Sequence, residues 1–464
     1  MRTSLLAVFC VTVAAALAVA TGQSAARFED WRQAVRESQS ALGWEYIRFH
    51  GVLNDDMSVV IAPNEYSFFN IDQVYDFLLS INMRPIVELS FMPTAYASGN
   101  ETIFYYKGNI TPPKDYAQWD DLITKLAQHL VDRYGLEEVS QWYFEVWNEP
   151  NCGFWSGNQT DYFTLLQHTY TALKSVSPLI RVGGPATCQS QWIAETVAFC
   201  KQNGIQLDFI STHEYPTDPT TYPVRDLMHD IFAATKAAAG GIPVIYTEFN
   251  SGLFSDTPNH DLPYAASFLV NMVAKTQGLV EIASYWAVSD VFEEGGQDPT
   301  PFHDMYGIVT NIGVPKPAFH GLKLLRQAGT DRVAVSTVGD ANTTSVWATR
   351  TDNEVQVFIT NFDYFEFPIQ NYTVTVTVAG VAAKGSPVNS LYYLIDDTHV
   401  NPRAVWEAMG SPTYPTPAQI VALHEASTLH AQQLPYSVVG SDITFTFNLV
   451  PYSTVAVFIP LQFY

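Results

Sequence analysis

The chain has 464 residues, 47% of them hydrophobic and 14% aromatic, enough for one large α/β domain and a smaller companion. Its 46 acidic against 23 basic residues give a formal net charge of -23, a surface that repels nucleic acid and anionic membranes. Aromatic richness without basic patches suits neutral sugars, whose apolar ring faces stack on Trp and Tyr.

Residues 1–22 begin Met-Arg-Thr-Ser and continue as an apolar run rich in Ala and Val that ends in small residues. This is the layout of a secretory signal peptide, and the run is short of the roughly 20 apolar residues a membrane span needs. It predicts a secreted or lysosomal or vacuolar protein with no membrane attachment after cleavage. Five Asn-x-Ser/Thr acceptors, at Asn100, Asn109, Asn158, Asn342 and Asn371, fit that route and predict a glycoprotein. Cleavage would remove Cys10 and leave Cys152, Cys188 and Cys200. A Cys188–Cys200 bridge with Cys152 free is one arrangement the spacing allows.

From residue 45 to about 290, apolar runs alternate with segments of helical period. The runs lie at 46–50, 85–90, 142–148, 181–185, 209–213, 244–250 and 283–289, with helical segments such as 119–134, 162–176 and 263–276 between them. Seven such repeats point to a (β/α)8 TIM barrel spanning residues 23–330, with its chemistry where the strands end. If Glu149 follows the fourth strand and Glu248 ends the seventh, the first strand precedes the helix at 28–40. Part of 11–22 has to serve as that strand, or the barrel keeps an open edge.

After about residue 331 the pattern shifts to period-two alternation, at 332–338, 345–350, 354–361, 372–378, 391–395 and 443–459. This predicts a C-terminal antiparallel β-sandwich over 331–464, with a helical insertion near 404–429 broken by Pro412, Pro415 and Pro417.

Glu149 closes the run Trp-Tyr-Phe-Glu-Val-Trp-Asn and Glu248 closes Pro-Val-Ile-Tyr-Thr. They stand 99 residues apart, three barrel repeats, so both are expected at the mouth. Two carboxyls about 5 Å apart are what a retaining glycoside hydrolase needs, one to protonate the leaving oxygen and one to attack the anomeric carbon. Close together they cannot easily both ionise, so one pKa rises and an acidic pH optimum is expected. Asn148 is placed to bond the sugar 2-hydroxyl. His50, His213, Tyr215, Trp286, Glu293, Glu294 and His303 are further candidates for substrate binding, and Glu88 is expected either there or bridged to an arginine inside the barrel. Motifs for zinc, phosphate or serine-nucleophile chemistry are missing, so no metal or cofactor is expected. A catalytically silent sugar-binding protein on the same scaffold is the alternative of a different class.

Several stretches resemble glycoside hydrolase family 39, which contains β-xylosidases and α-L-iduronidases. They are Tyr-Ile-Arg-Phe-His-Gly at 46–51, Phe-Met-Pro at 91–93, Phe-Glu-Val-Trp-Asn-Glu-Pro-Asn at 144–151, Val-Gly-Gly-Pro-Ala at 182–186 and Thr-Glu-Phe-Asn-Ser at 247–251. Gly-Val-Pro-Lys-Pro-Ala-Phe-His at 313–320 and Trp-x-x-Met-Gly-x-Pro at 406–412 extend the likeness almost to the end. The resemblance implies Glu149 as acid/base and Glu248 as nucleophile. It also implies that an iduronidase would carry a basic pair after the strand-six histidine. Here that loop reads His-Glu-Tyr-Pro and the loop after strand eight Phe-Glu-Glu-Gly-Gly-Gln-Asp, so both add negative charge where a uronate would need cations. A β-D-xyloside is the expected substrate, ahead of an iduronide.

Overall fold

The apolar runs become parallel strands that close on themselves. The computed structural model of the protein describes residues 8–12, 24–216, 226–253, 259–291, 294–339, 342–382 and 389–461. The barrel strands are β1 (Val8–Thr12), β2 (Tyr46–Arg48), β3 (Arg84–Glu88) and β4 (Tyr143–Glu145), then β5 (Arg181–Thr187), β6 (Phe209–Glu214), β7 (Val244–Phe249) and β8 (Ile282–Trp286). Their order, β1-β8-β7-β6-β5-β4-β3-β2, makes a closed eight-stranded barrel. Helices such as Tyr116–Tyr134 cover it, burying Trp119, Leu122, Ile123, Leu126 and Leu130 at the three-and-four spacing of one helical face. Asp115 caps that helix, and Asn158 with Asp161 forms a capping box on the helix Gln159–Val176. Among the described residues, no helix is long and apolar enough to cross a membrane.

The first strand comes from Val8–Thr12, slightly ahead of the window expected. It pairs in parallel with Ile282–Trp286 on one side, and with Ile47 and Arg48 on the other. The strand lies inside the segment expected to be a signal peptide, of which residues 1–7 and 13–22 fall outside the described ones. Cleavage near residue 20 would leave β8 and β2 with open edges.

Side chains alternate along a strand, so every second residue points into the barrel and the interior is built in layers. Ile86, Phe209, Ile245 and Ile282, with Tyr46 and Tyr143, form an apolar floor. Two residues further along the same strands come Arg48, Glu88, Glu145, Ser211, Thr247 and Ser284, a fully buried polar layer. Two residues beyond that, at the C-terminal mouth, stand His50, His213 and Trp286.

The C-terminal sheets are β9 (Asp331–Val333), β10 (Thr344–Arg350), β11 (Glu354–Asn361), β12 (Tyr372–Val378), β13 (Leu391–Ile395), β14 (Gln432–Gln433), β15 (Ser437–Val439), β16 (Asp442–Leu449) and β17 (Ser453–Pro460). A six-stranded sheet, β9-β10-β11-β17-β13-β14, packs on a three-stranded one, β12-β16-β15, around Val357, Ile359, Val455, Val457, Ile443 and Phe445. Two boundaries differ from the sequence reading. The run at 443–459 is two strands joined by a turn through Pro451, where Tyr452 has φ 61°. The first strand stops at Val333 and leaves Val338 fully exposed. The insertion forms helices Pro402–Ala408 and Pro417–Ala426, each with proline at its first turn, where no N–H is needed.

Two surface expectations are also corrected. Asn109, one of the five acceptors, is not a surface residue in the folded protein: it is 2% exposed, its amide donating to Gly99 O at 3.0 Å and its Oδ1 accepting from Thr111. The disulfide joins Cys152 to Cys188, and among the described side chains Cys200 is the free, buried thiol, its pKa pushed up to about 12 by burial. Cys188 follows β5 and Cys152 follows Glu149, so the bond links neighbouring loops at the mouth, where a 12-residue spacing in sequence had no bearing.

Candidate active site

Two irregularities in strand register build the site. Against β6, Thr212 pairs with Tyr246 but His213 with Glu248, so β7 carries one extra residue. Such a bulge re-aims side chains, and here both Thr247 and Glu248 are buried in polar contacts of the site. β5 carries a second extra residue, Ala186. Its carbonyl accepts from Glu149 N at 2.8 Å and thereby fixes the loop after β4. Within that loop Trp147 and Glu149 have φ of 71° and 42°, left-handed conformations that cost about 1–3 kcal/mol each and persist only where the surroundings hold them. Trp147 Nε1 donates to Phe154 O at 2.7 Å, and the Cys152–Cys188 bond closes the loop from outside.

Arg48 sits at the centre of the polar layer. Its Nε donates to Glu145 Oε2 at 2.5 Å, Nη1 to Glu248 Oε1 at 2.6 Å and Nη2 to Asn148 Oδ1 at 2.8 Å, while Nη2 pairs with Glu88 Oε2 at 2.8 Å. Burial alone would disfavour its charge, but Glu145, Glu88 and Glu248 outweigh that and keep it protonated. The expected bridge from Glu88 to a barrel arginine is this one. Arg48 and Glu145 were not singled out from the sequence, although Tyr46, Arg48 and His50 alternate on one face of β2 and the apolar floor beneath marks that face as inward.

Glu149 and Glu248 each place a carboxylate oxygen within 4.8 Å of the other and of a ring nitrogen of His213. Their surroundings differ. Glu248 takes Arg48 on one oxygen and the Tyr215 hydroxyl, at 2.8 Å, on the other. Glu149 meets His213 Nδ1 at 2.8 Å. Burial raises the pKa of both and Arg48 and His50 oppose it at both; the charge of Glu248 adds to the rise at Glu149, whereas at Glu248 the Tyr215 hydrogen bond opposes it further, so Glu149 is raised the more. Glu149 is therefore the carboxyl that keeps its proton to higher pH. Burial, reinforced by Arg48 and His50, pushes His213 well below its ordinary pKa, so its ring is neutral.

His50 behaves oppositely. Burial would discharge it, but Glu88, Glu294 and Glu248 push its pKa up to about 10. Its Nδ1 lies 2.7 Å from Glu88 Oε2 and its Nε2 3.2 Å from Glu294 Oε1. Trp286 packs on it at 4.7 Å between ring centres, with Phe91, Phe104 and Phe154 around it at 5.7–6.4 Å. Of the residues expected at the site, His50, Asn148, His213, Tyr215, Trp286 and Glu294 converge with the two glutamates. Glu293 lies outside the described residues. His303 is engaged elsewhere: Nδ1 is 2.5 Å from Thr300 O, and the charges bearing on it are Lys316, Asp298 and Asp261. The loop that carries it is pinned by fully buried Lys316, whose Nζ donates to Met305 O at 2.7 Å and pairs with Asp261 and Asp290 at 2.7 Å each. Arg403 from the helical insertion joins that network at 2.8 Å from Asp261.

Known proteins share this arrangement of chain. Residues 16–442 match the family model "Glycosyl hydrolases family 39". The β-xylosidase of Caldicellulosiruptor saccharolyticus is 41% identical over 449 residues, covering 92% of this chain and 91% of that protein. That of Geobacillus stearothermophilus is 33% identical over 422 residues, covering 84% and 81%. The solved structure of a GH39 β-xylosidase from Caulobacter crescentus superposes with a TM-score of 0.83 at 27% identity, covering 99% of this chain and 98% of that one. With a barrel, a sandwich and two buried glutamates facing each other across the mouth, the chain belongs to glycoside hydrolase family 39.

Proposed function

We propose that the protein is a β-D-xylosidase-like exo-acting glycosidase that works by double displacement, with Glu248 as nucleophile and Glu149 as acid/base. The observation that carries this is the contrast between two carboxyls whose oxygens lie within 4.8 Å. Glu248, held by Arg48 and Tyr215, is kept ready as an anion to attack the anomeric carbon. Glu149, beside a neutral histidine, holds a proton for the leaving oxygen and in the second step takes one from water. Asn148, oriented by Arg48, is the group for the sugar 2-hydroxyl.

A neutral pentose fits the pocket better than a uronate. Among the described residues, the cations there, Arg48 and His50, are each committed to protein carboxylates, and Glu294 adds a negative edge. Exo action is supported by the hairpin Thr102–Ile103 and Gly108–Asn109. It brings Phe104 over His50, and Tyr105 N bonds Glu294 O at 2.8 Å, so the hairpin is fastened beside the proposed sugar site.

Hydrolysis of nitrophenyl β-D-xyloside, compared with a nitrophenyl iduronide, tests the substrate class. Glu248→Gln should abolish turnover, and Glu149→Gln should lower it by about 10²–10⁴-fold on substrates with poor leaving groups. Proton NMR should show the β-anomer released first. Release of the α-anomer, or turnover surviving Glu248→Gln, would reject the double displacement, and inactivity of the parent on all glycosides would favour the sugar-binding alternative.

A further inference from the structure

One hydrogen-bond chain runs from the interior of the barrel to Glu149. Glu145 accepts from Arg48 Nε through Oε2, at 2.5 Å, and from Thr247 Oγ1 through Oε1, at 2.6 Å. Thr247 Oγ1 lies 3.1 Å from His213 Nε2, and His213 Nδ1 lies 2.8 Å from Glu149 Oε1. Glu145, Thr247 and His213 are fully buried and Glu149 is 8% exposed.

The hydrogen bonds along this chain order its protons. The single hydroxyl proton of Thr247 goes to Glu145 Oε1, while Glu145 Oε2 accepts from Arg48 Nε. The hydroxyl oxygen then serves His213 Nε2 as acceptor, and Nε2 carries the N–H. A neutral imidazole has only one N–H, which leaves Nδ1 with a lone pair. A lone pair 2.8 Å from a carboxyl oxygen calls for a proton on that oxygen. Glu248 Oε2 lies 3.5 Å from the same Nδ1 but takes its proton from Tyr215. The other charges bearing on His213 are the cations Arg48 and His50.

We propose that Thr247 is a positioning residue that locks His213 in its Nε2–H tautomer, so that the bare Nδ1 keeps Glu149 protonated in the resting enzyme. The proposal rests on Glu149 being the general acid. When the glycosidic oxygen arrives, the O–H bond of Glu149 breaks as the new O–H bond to the leaving group forms. The carboxylate left behind faces a lone pair, not a donor, and so retains the basicity to deprotonate water in the second step. With the opposite tautomer, Nδ1–H would donate to that carboxylate, stabilise it and lower its pKa. The extra residue in β7 is what makes the lock possible, because it lets Thr247 and Glu248 both reach the site.

Long-range proton–nitrogen correlation on protein with ¹⁵N-labelled histidine should show His213, assigned by loss of its signals in His213→Gln, with a protonated Nε2 and a bare Nδ1. Thr247→Val keeps the side-chain shape but removes the acceptor. The alkaline limb of kcat/KM on xylobiose, whose leaving sugar needs a proton, should then move down by about one pH unit. Thr247→Ser should restore it. A protonated Nδ1 in the parent, or a rate loss in Thr247→Val that is equal at every pH, overturns the proposal. If Thr247→Val does not fold, the parent tautomer decides alone. Failure of Glu149 as the acid is a separate result: Glu149→Ala would then keep its rate on xylobiose and gain nothing from azide, whatever tautomer His213 shows.

Discussion

Arg48 Nη1 lies 2.6 Å from Glu248 Oε1 and Nη2 lies 2.8 Å from Asn148 Oδ1, so one guanidinium joins the two halves of the site. It holds the charge of the proposed nucleophile and, through Asn148, the residue next to the proposed acid. The planar fork makes this possible, because three nitrogens reach partners on β3, β4, β7 and the loop after β4 at once.

Arg48→Met should therefore harm both stability and catalysis. Glu88, Glu145 and Glu248 would lose their shared counter-charge inside the barrel, and removing one partner of a buried pair costs about 3–5 kcal/mol. Calorimetry should show a lower Tm, and Glu248, freed from Arg48, should titrate higher, moving the acid limb of the pH-rate profile upward. Arg48→Lys should recover part of the stability but little activity, since an ammonium cannot span the same fork.

Stability should fall on the alkaline side through His50. Its folded pKa is raised, to about 10, from an ordinary 6.5. The folded state thus binds this proton more tightly than the unfolded one, and the gain is complete below pH 6.5 and lost as pH climbs to about 10. Thermal melts at intervals across that window should show the parent losing Tm while His50→Gln, already lower, changes less. A parent Tm that is flat over the window would contradict the charged state assigned to His50.

Breaking the Cys152–Cys188 bond should loosen the Glu149 loop. The bond closes a loop with a sequence separation of 36, for which chain entropy suggests about 4 kcal/mol of stabilisation. Cys152→Ser with Cys188→Ser should lower Tm by several degrees. It should also reduce kcat more than it raises KM, because Glu149 N depends on Ala186 O across the same two loops. Cys200→Ser, at a buried thiol outside the disulfide, should leave the Glu149 loop intact, as shown by an unchanged kcat.

Expressed in a host that glycosylates, the chain should carry nothing on Asn109, whose amide is already bonded inside the structure. Peptide mapping by mass spectrometry checks this, with exposed Asn100, Asn158, Asn342 and Asn371 as the comparison.

Much of the architecture was legible in the residues. Alternating apolar runs and helical segments outlined seven barrel strands, and period-two stretches outlined the sandwich, because burial of one face imposes those periods on any sequence. The first strand was hard to recognise, since Val8–Thr12 has the composition of a signal segment and a buried parallel strand is apolar on both faces as well. Pro451 and Tyr452 concealed a turn inside what read as one long strand.

The sequence by itself determined which two glutamates face each other, because strand ends at barrel spacing leave few other places for them. It also determined the layering, since residues two apart on a strand share a side. Tertiary structure decided what each glutamate is. Register shifts in β5 and β7 turn Ala186 O toward Glu149 and let Thr247 join Glu248 in the site, and no pattern in the residues announces an extra residue in a strand. Closure of the barrel then sets Arg48 against Glu248 and neutral His213 against Glu149, and a carboxyl's proton affinity depends on such neighbours rather than on its own chemistry.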